Sequence, residues 1–243
     1  MRNEFPLFEI PFLTTELYAS TEVKHVQFWD NIKNSQLDSI YSIMNNTPGI
    51  PARQDVENAR RDNPITWDPS TASVQAEGQN NDSFEEQSLA LRAATYSINK
   101  YNAAAVGRQV LTSTKNVIIH GAPGSGKSFV GQYSVLYALS QGLRCISTSL
   151  MAPRAQAIGG IHYHRLFIVI PNKNGPIHPY RCAELAMQRL MSSSTYQHAL
   201  LTMDVMFLDE AGQTSAEMLA VFDIILRKYW KSANPFDEVL ILG

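Results

Sequence analysis

One eight-residue segment constrains the fold of this chain more than any other. Residues 121–128 read Gly-Ala-Pro-Gly-Ser-Gly-Lys-Ser, the spacing of glycines, lysine and serine that is typical of loops that bind phosphate groups. Such a loop joins a buried strand to the start of a helix, because main-chain N–H groups and the positive end of the helix dipole must face the anion. The segment therefore predicts a strand before residue 121 and a helix from Lys127.

The flanking residues agree with this prediction. Residues 116–120 form a short apolar run of the kind found in buried strands, and residues 129–140 are compatible with a helix. This context favours a phosphate site over the alternative, a glycine-rich turn that binds no ligand. Lys127 is expected to reach the β and γ phosphates, and the hydroxyl of Ser128 to bind Mg²⁺. The predicted nucleotide-binding residues of the loop are Gly121, Ala122, Pro123, Gly124, Ser125, Gly126, Lys127 and Ser128.

A second apolar run, residues 205–208, ends in Asp209 and Glu210. If this run is a strand of a parallel sheet, both carboxylates lie at the carboxyl edge, where ligands bind in such folds. Asp209 is then expected to hold Mg²⁺ through water, and Glu210 to polarise the water that attacks the γ-phosphate, so Lys127 and Glu210 are the predicted catalytic residues. The alternative is that the acidic pair only stabilises the N-terminus of a following helix.

Apolar strands alternate with helical segments along most of the chain, and this order predicts an α/β fold with a doubly wound, mainly parallel sheet of the RecA-like kind, flanked by helices. Residues 1–61 are expected to form a mostly helical or irregular N-terminal extension, residues 62–83 a polar linker or loop, and residues 84–243 an ATPase domain. The strand candidates are residues 116–120, 144–149, 205–208 and 238–242, and the helix candidates are residues 85–101, 129–140, 183–203 and 214–231.

The composition of the 243 residues, 44% of them hydrophobic, fits a globular enzyme with one good core. No apolar run reaches the length of a membrane span, and no signal peptide is apparent at the N-terminus. Cys145 and Cys182 are the only cysteines. Two cysteines argue against a disulfide framework and suit a reducing compartment.

The net charge of −2 conceals an uneven distribution. Between Glu86 and Glu184 there is no acidic residue, whereas ten basic residues lie there; the other ten basic residues are outnumbered by all 22 acidic ones. A block of this kind indicates a surface that faces a polyanion, such as a nucleic-acid backbone, although buried elements also lack charge. The block contains Arg92, Lys100, Arg108, Lys115, Lys127, Arg144, Arg154, Arg165, Lys173 and Arg181.

The order and spacing of these motifs over residues 84–243 resemble the first motor domain of superfamily 1 DNA helicases, in particular the PIF (petite integration frequency) group, which moves 5′ to 3′ on single strands. Phe84-Glu-Glu-Gln87 resembles the family's adenine-reading motif, which implies that Gln87 contacts the base. Residues 207–213, Phe-Leu-Asp-Glu-Ala-Gly-Gln, resemble its second nucleotide motif, although the family usually has Asp-Glu-Ile-Ser-Met and the variant is partly similar to RNA-directed superfamily 1 helicases.

Residues 148–155, with the glycines at 159 and 160 and with His164 and Phe167, resemble the family segment that contacts the DNA strand. This resemblance implies nucleic-acid contacts by Thr148, Arg154 and His164. The segment departs from the family pattern, because Ala152 replaces a usual glycine, and Pro153 and Arg154 replace a small apolar pair.

Two further readings of this region stay open. His162 and His164 form a His-x-His pair, which can hold a metal, but no matching Cys or His cluster stands at ligand spacing. Tyr163 and Phe167 are candidates for stacking on bases, and packing in the core is the alternative for Phe167.

The resemblance implies an ATP- and Mg²⁺-dependent DNA helicase motor, with single-stranded DNA or RNA as its partner and with roles in DNA repair, recombination or telomere maintenance. It also implies an intracellular location, in the nucleus or the mitochondrion. The chain stops at Gly243, where the family's third motif is expected, so we expect a fragment without the second motor domain that binds ATP weakly, hydrolyses it slowly and does not unwind duplexes. The alternative is a regulatory nucleotide switch whose hydrolysis nucleic acid does not stimulate.

Overall fold

A computed structural model describes residues 15–45, 52–65, 82–105, 116–170, 178–231, 233, 235–236 and 239–243. Most of the predicted linker, residues 66–81, lies outside this part of the chain. Within it the helices are α1 (Thr15–Met44), α2 (Ala52–Arg60), α3 (Asp82–Ala105), α4 (Lys127–Ser140), α5 (Ala152–Ala157), α6 (Tyr163–Leu166), α7 (Pro179–Leu190), α8 (Ser194–Thr202) and α9 (Ala216–Trp230). The strands are β1 (Cys145–Ser149), β2 (Ile161–His162), β3 (Val205–Asp209) and β4 (Leu240–Leu242).

The described strands form one parallel sheet in the order β2-β1-β3-β4. Strands β1 and β3 pair along their whole length, from Cys145 opposite Val205 to Ser149 opposite Asp209. Because the two strands are parallel and in register, their carboxyl ends meet at the same edge. The predicted α/β architecture, a mainly parallel sheet flanked by helices, is confirmed.

Residues 116–120 continue the sheet beside β4 but are not buried as predicted. Val117 forms hydrogen bonds with the residues on either side of Leu242. Val117 N donates to Ile241 O, and Gly243 N donates to Val117 O, at 2.9 Å in both cases. The side chain of Ile118 is 73% exposed. The prediction of a buried strand was wrong in this respect, because the segment has a pairing partner on one side only among the described residues.

The two faces of the sheet support two hydrophobic cores. In β3, Val205 and Phe207 belong to one core, and Met206 and Leu208 belong to the other, as the alternation of side chains along a strand requires. Helices α1 to α4 cover the first face and helices α6 to α9 the second, and Phe28, Trp29 and Ile32 of α1 also pack against the second core.

The N-terminal helices are part of the first core. Leu37 and Ile40 of α1 and Val56 of α2 are buried in the same cluster as Tyr133 of α4. The main chain of α1 lies so close to the segment after α5 that a Cβ on Gly159 would be 2.1 Å from Ser35 O. The division into an extension, a linker and a domain stays a prediction. Among the described helices, none combines the length and the apolarity that crossing a bilayer requires.

Candidate functional site

The segment that the sequence predicts to bind phosphate forms an open turn at the N-terminus of α4. Gly124 and Gly126 have φ values of 78° and 80°, in the left-handed region that glycine adopts without strain. Gly126 precedes the first residue of α4 and supplies no side-chain cap. The first N–H groups of the helix are therefore not satisfied by a capping side chain, which is the arrangement that suits an anion. Ala122, Pro123, Gly124, Ser125 and Ser128 are exposed, and Gly121, Gly126 and Lys127 are partly exposed.

The side chain of Lys127 folds back over this turn. Its Nζ donates to the carbonyl oxygens of Gly121 and Ala122, at 2.7 Å in both cases. The ammonium group thus stands at the mouth of the loop, held by main-chain oxygens that a phosphate oxygen can replace. A positive charge positioned in this way can bind the distal phosphates of a nucleotide.

Gln87 approaches the same turn from α3. Its Nε2 donates to Ser125 O at 2.9 Å, and a Cβ on Gly126 would be 2.6 Å from the same Nε2. The structure therefore brings Gln87 to the phosphate loop, where it fixes the main chain of the turn. The base contact that the resemblance implies for Gln87 stays a prediction.

Arg154 lies between the loop and the end of β3. Its Nη2 is 3.0 Å from Ser128 Oγ and 2.8 Å from Asp209 Oδ2, and its Nε donates to the same Asp209 oxygen at 3.0 Å. We call this three-residue arrangement the Arg154 bridge. In this structure the guanidinium of Arg154 contacts Ser128 and Asp209, and its expected contact with nucleic acid stays a prediction. Helix α5, which follows β1, places the guanidinium of Arg154 beside Ser128 and Asp209.

Ser128 and Asp209 present oxygen ligands to one small region. Hydroxyl and carboxylate oxygens are the ligands that Mg²⁺ prefers, and a cationic nitrogen already contacts one oxygen of each residue. Asp209 is 6% exposed, so its charge needs a partner. The pair fits a divalent cation by its chemistry, and these are the two residues that the sequence assigns to Mg²⁺. Among the described residues, no group of three or more His, Cys, Asp or Glu side chains gathers as a metal cluster.

Glu210 follows Asp209 at the edge of the sheet and faces solvent. Its φ of 60° is uncommon for a residue other than glycine, and such strain concentrates at functional sites. Gln213 Nε2 donates to Glu210 Oε2 at 2.8 Å, and Gln213 N donates to Glu210 O at 2.9 Å. Gln213 thus orients the predicted catalytic carboxylate. Gln213 had no predicted role of its own, although its position three residues after Glu210 in a short turn was a signal for this contact.

One predicted strand contact and the two candidates for base stacking are buried. Thr148, Tyr163 and Phe167 are all fully buried. Tyr163 donates its hydroxyl to Met218 O at 2.9 Å, and Phe167 packs edge-on against Phe222 with ring centroids 4.6 Å apart. Base stacking by Tyr163 and Phe167 is therefore wrong for this structure, since both rings belong to the second core. Thr148 is a buried residue of β1, and its contact with a nucleic-acid strand stays a prediction.

His162 and His164 lie close to each other at the end of β2 and the start of α6. Their ring centroids are 5.4 Å apart, and His162 Nε2 is 2.9 Å from Leu150 O. Burial lowers the pKa of His164, and the neighbouring His162 lowers it further. Both effects favour the neutral form of His164, and its contact with a nucleic-acid strand stays a prediction.

The basic block is partly neutralised in three dimensions. Arg144 pairs with Asp204 at 3.1 Å, Arg154 with Asp209 and Arg181 with Glu184 at 3.3 Å. Three members of the block lie outside the described residues: Arg108, Lys115 and Lys173. The surface that faces a polyanion stays a prediction.

No protein-family model matches the chain, and no curated protein matches it. Solved structures of Pif1 helicases are similar to part of it. A structure on DNA unwinding at forked duplex DNA by two coordinating Pif1 helicases shares 28% identity over 60% of this chain and 32% of that chain, with a TM-score of 0.44. Bacteroides Pif1 bound to single-stranded DNA shares 26% identity over 61% and 31%, with a TM-score of 0.40. Unliganded Pif1 from Bacteroides sp. shares 26% over 58% and 30%, with a TM-score of 0.39.

The aligned part thus spans about a third of the length of these helicases. With TM-scores this low, the similarity decides neither the family nor the function of this chain.

Proposed function

We propose that residues 84–243 form a RecA-like, ATP-hydrolysing motor domain of the helicase type. The observation that carries this proposal is the Arg154 bridge, in which Ser128 of the phosphate loop and Asp209 of β3 contact one guanidinium nitrogen atom. A glycine-rich turn that binds no ligand does not explain why the Ser128 hydroxyl and the buried Asp209 carboxylate contact the same guanidinium nitrogen atom. A site for a metal-bound triphosphate explains it, because such a site needs both oxygen ligands close together.

The residues of the site divide the work of binding and hydrolysis. The N-terminus of α4 and Lys127 bind the phosphates, and Ser128 and Asp209 hold Mg²⁺, which neutralises charge on the triphosphate when bound. Glu210, held by Gln213, is exposed and free to accept a proton from an attacking water. Gln87 lies against the loop at Ser125, close enough to link the conformation of the loop to occupation of the site.

DNA as the partner, and unwinding as the result, rest on the sequence resemblance alone. The proposal includes translocation on single strands, roles in repair, recombination or telomere maintenance, and an intracellular location. The choice of nucleic acid can be tested separately from ATP hydrolysis.

The test is the rate of ATP hydrolysis with Mg²⁺, measured without nucleic acid, with single-stranded DNA and with single-stranded RNA. We expect stimulation by DNA, and we expect Lys127→Ala and Glu210→Gln to reduce the rate by at least about 100-fold, as losses of groups that stabilise transferred charge do. Lys228→Ala is the control, because this exposed lysine of α9 lies outside the site.

Each part of the proposal has its own contrary result. Hydrolysis that is equal with and without nucleic acid would favour the regulatory switch, and stimulation by RNA alone would favour an RNA-directed motor. Calorimetry that detects no magnesium-dependent nucleotide binding by the folded protein would overturn the proposal as a whole.

A further inference from the structure

We propose that Arg154 is a built-in counter-ion of the metal site, which holds Ser128 and Asp209 together without nucleotide and is exchanged for the divalent cation when the metal–triphosphate binds. This inference rests on the proposed function, because it concerns the same two oxygen ligands. It gives Arg154 a task that differs from the strand contact expected from the sequence.

The geometry makes the guanidinium and the metal competitors. Nη2 lies within 3.0 Å of Ser128 Oγ and of Asp209 Oδ2 at the same time. A Mg²⁺ ion held directly by Ser128 and through water by Asp209 would occupy the same region between the two residues. Two cations in that region also repel each other strongly, because a partly buried site screens charge less than water does. The side chain of Arg154 must therefore leave before Ser128 and Asp209 can hold the cation together.

Burial explains why the site needs such a counter-ion. Asp209 is 6% exposed, whereas the side chain of Arg154 is 34% exposed. An unpaired carboxylate at that depth is costly, and the guanidinium removes this cost while the site is empty of metal. Since Arg154 is the more exposed partner, it can swing toward solvent while Asp209 stays in place.

The main chain that carries Arg154 is fixed, so the exchange is a movement of the side chain. Ser39 of α1 donates its hydroxyl to Ala157 O at the end of α5. The two glycines that follow α5 admit no side chain, because a Cβ on Gly159 or Gly160 would be 2.1 Å from Ser35 O or Ser147 O, respectively. Helix α5 is thus held between α1 and β1, with its arginine aimed at the end of β3.

The chain contains a matched control at the opposite end of the same two strands. Arg144, just before β1, pairs with Asp204, just before β3, with Nε 3.1 Å from Oδ2. Arg144→Ala removes the same charge from the same pair of strands without touching Ser128 or Asp209. Any general effect of a lost Arg–Asp pair appears in this variant.

The experiment is a titration with Mn²⁺ in the absence of nucleotide, followed by electron paramagnetic resonance, because Mn²⁺ prefers the same oxygen ligands as Mg²⁺. We expect Arg154→Ala to bind one Mn²⁺ ion at roughly one tenth of the concentration that the wild type needs, since a charge-assisted contact no longer competes. Arg144→Ala is expected to titrate like the wild type, and Asp209→Asn in the Arg154→Ala background to lose the gain.

Arg154→Gln, which keeps a hydrogen-bond donor but removes the charge, is expected to bind Mn²⁺ like Arg154→Ala and guards against misfolding of the alanine variant. The inference is overturned if folded Arg154→Ala or Arg154→Gln binds Mn²⁺ no better than the wild type, or if Arg144→Ala gains as much. A parallel titration of the wild type with a fluorescent ATP analogue and Mg²⁺ tests the proposed function separately. If the wild type binds nucleotide but the Arg154 variants bind Mn²⁺ no more tightly, the exchange alone is refuted. If the Arg154 variants bind Mn²⁺ more tightly but the wild type binds no nucleotide, the proposed nucleotide site is refuted.

Discussion

Gln36 of α1 caps the open edge of β1 through Ser147. Gln36 Oε1 accepts hydrogen bonds from Ser147 N at 2.8 Å and from Ser147 Oγ at 2.6 Å, and Gln36 Nε2 donates to Cys145 O at 2.9 Å. Strand β2 pairs with Thr148 and Ser149 of β1, so among the described strands the first part of β1 has no neighbour on that side. One fully buried amide takes the place of that neighbour and satisfies main-chain groups that burial would otherwise leave unpaired.

Gln36→Leu should therefore destabilise the protein by about 2–4 kcal/mol, because it leaves the buried Ser147 N–H and Cys145 C=O without their hydrogen bonds to this side chain. Urea unfolding followed by circular dichroism measures the change in the free energy of unfolding. Gln27→Leu is the control, since Gln27 is an exposed residue of the same helix. Equal stability of the two variants would contradict the edge-cap role of Gln36.

Alanine substitutions at Gly124 and Gly126, two glycines of residues 121–128, should have different effects. Gly124 and Gly126 both have φ near 80°, so alanine at either position costs about 1–2 kcal/mol of backbone strain. A Cβ on Gly124 meets nothing within 4 Å, whereas one on Gly126 would be 2.6 Å from Gln87 Nε2. Gly126→Ala should therefore weaken magnesium-dependent binding of a fluorescent ATP analogue more than Gly124→Ala, and Gln87→Ala should restore part of that difference. No difference between the two alanine variants would argue against the contact with Gln87.

The contact between α4 and the sheet depends on the absence of a side chain at Gly131. A Cβ there would be 2.3 Å from Phe207 Cζ and 2.5 Å from Cε2. Gly131→Ala should destabilise the fold by about 1–3 kcal/mol through overpacking, in spite of the higher helix propensity of alanine. Phe207→Leu should offset part of this loss, so the double variant should be more stable in urea unfolding than the sum of the single effects predicts. Strict additivity would show that the ring and the helix do not press on each other.

Acidification should loosen the contact between α1 and α8 at a pair of stacked histidines. The rings of His25 and His198 are parallel, with centroids 4.0 Å apart. Burial lowers the pKa of His198 from its usual 6.5, and His25 and Arg144 lower it further. The unfolded chain therefore binds more protons than the folded one just below pH 6.5, so the stability from this site is complete above that pH and declines as the pH falls through the folded pKa.

The midpoint of thermal unfolding, measured between pH 7.5 and pH 5.5, reports this decline. His198→Gln should make the dependence on pH shallower, whereas His178→Gln, at an exposed residue, should not. An unchanged slope in His198→Gln would exclude this histidine as the source.

Much of the fold and of the candidate site could be predicted from local sequence patterns. The glycines of residues 121–128 select the turn, the apolar run before Asp209 selects a strand, and helical spacing selects α3, α4 and α9. These features depend on neighbours within a few residues, where φ preferences and side-chain periodicity act directly. The burial of individual side chains was harder to predict: Phe167 and Tyr163 are buried, and Ile118 is exposed.

What the sequence by itself determined is thus a glycine-rich turn before a helix, an alternation of strands and helices, and a carboxylate pair after a strand. Only the tertiary structure decided that Arg154 meets an aspartate 55 residues away, and that Gln36 caps a strand 111 residues away. Contacts of this range are set by the register of β1 against β3 and by the packing of α1 and α5. No short pattern encodes such an arrangement, because the free energy that fixes it comes from burying many side chains at once.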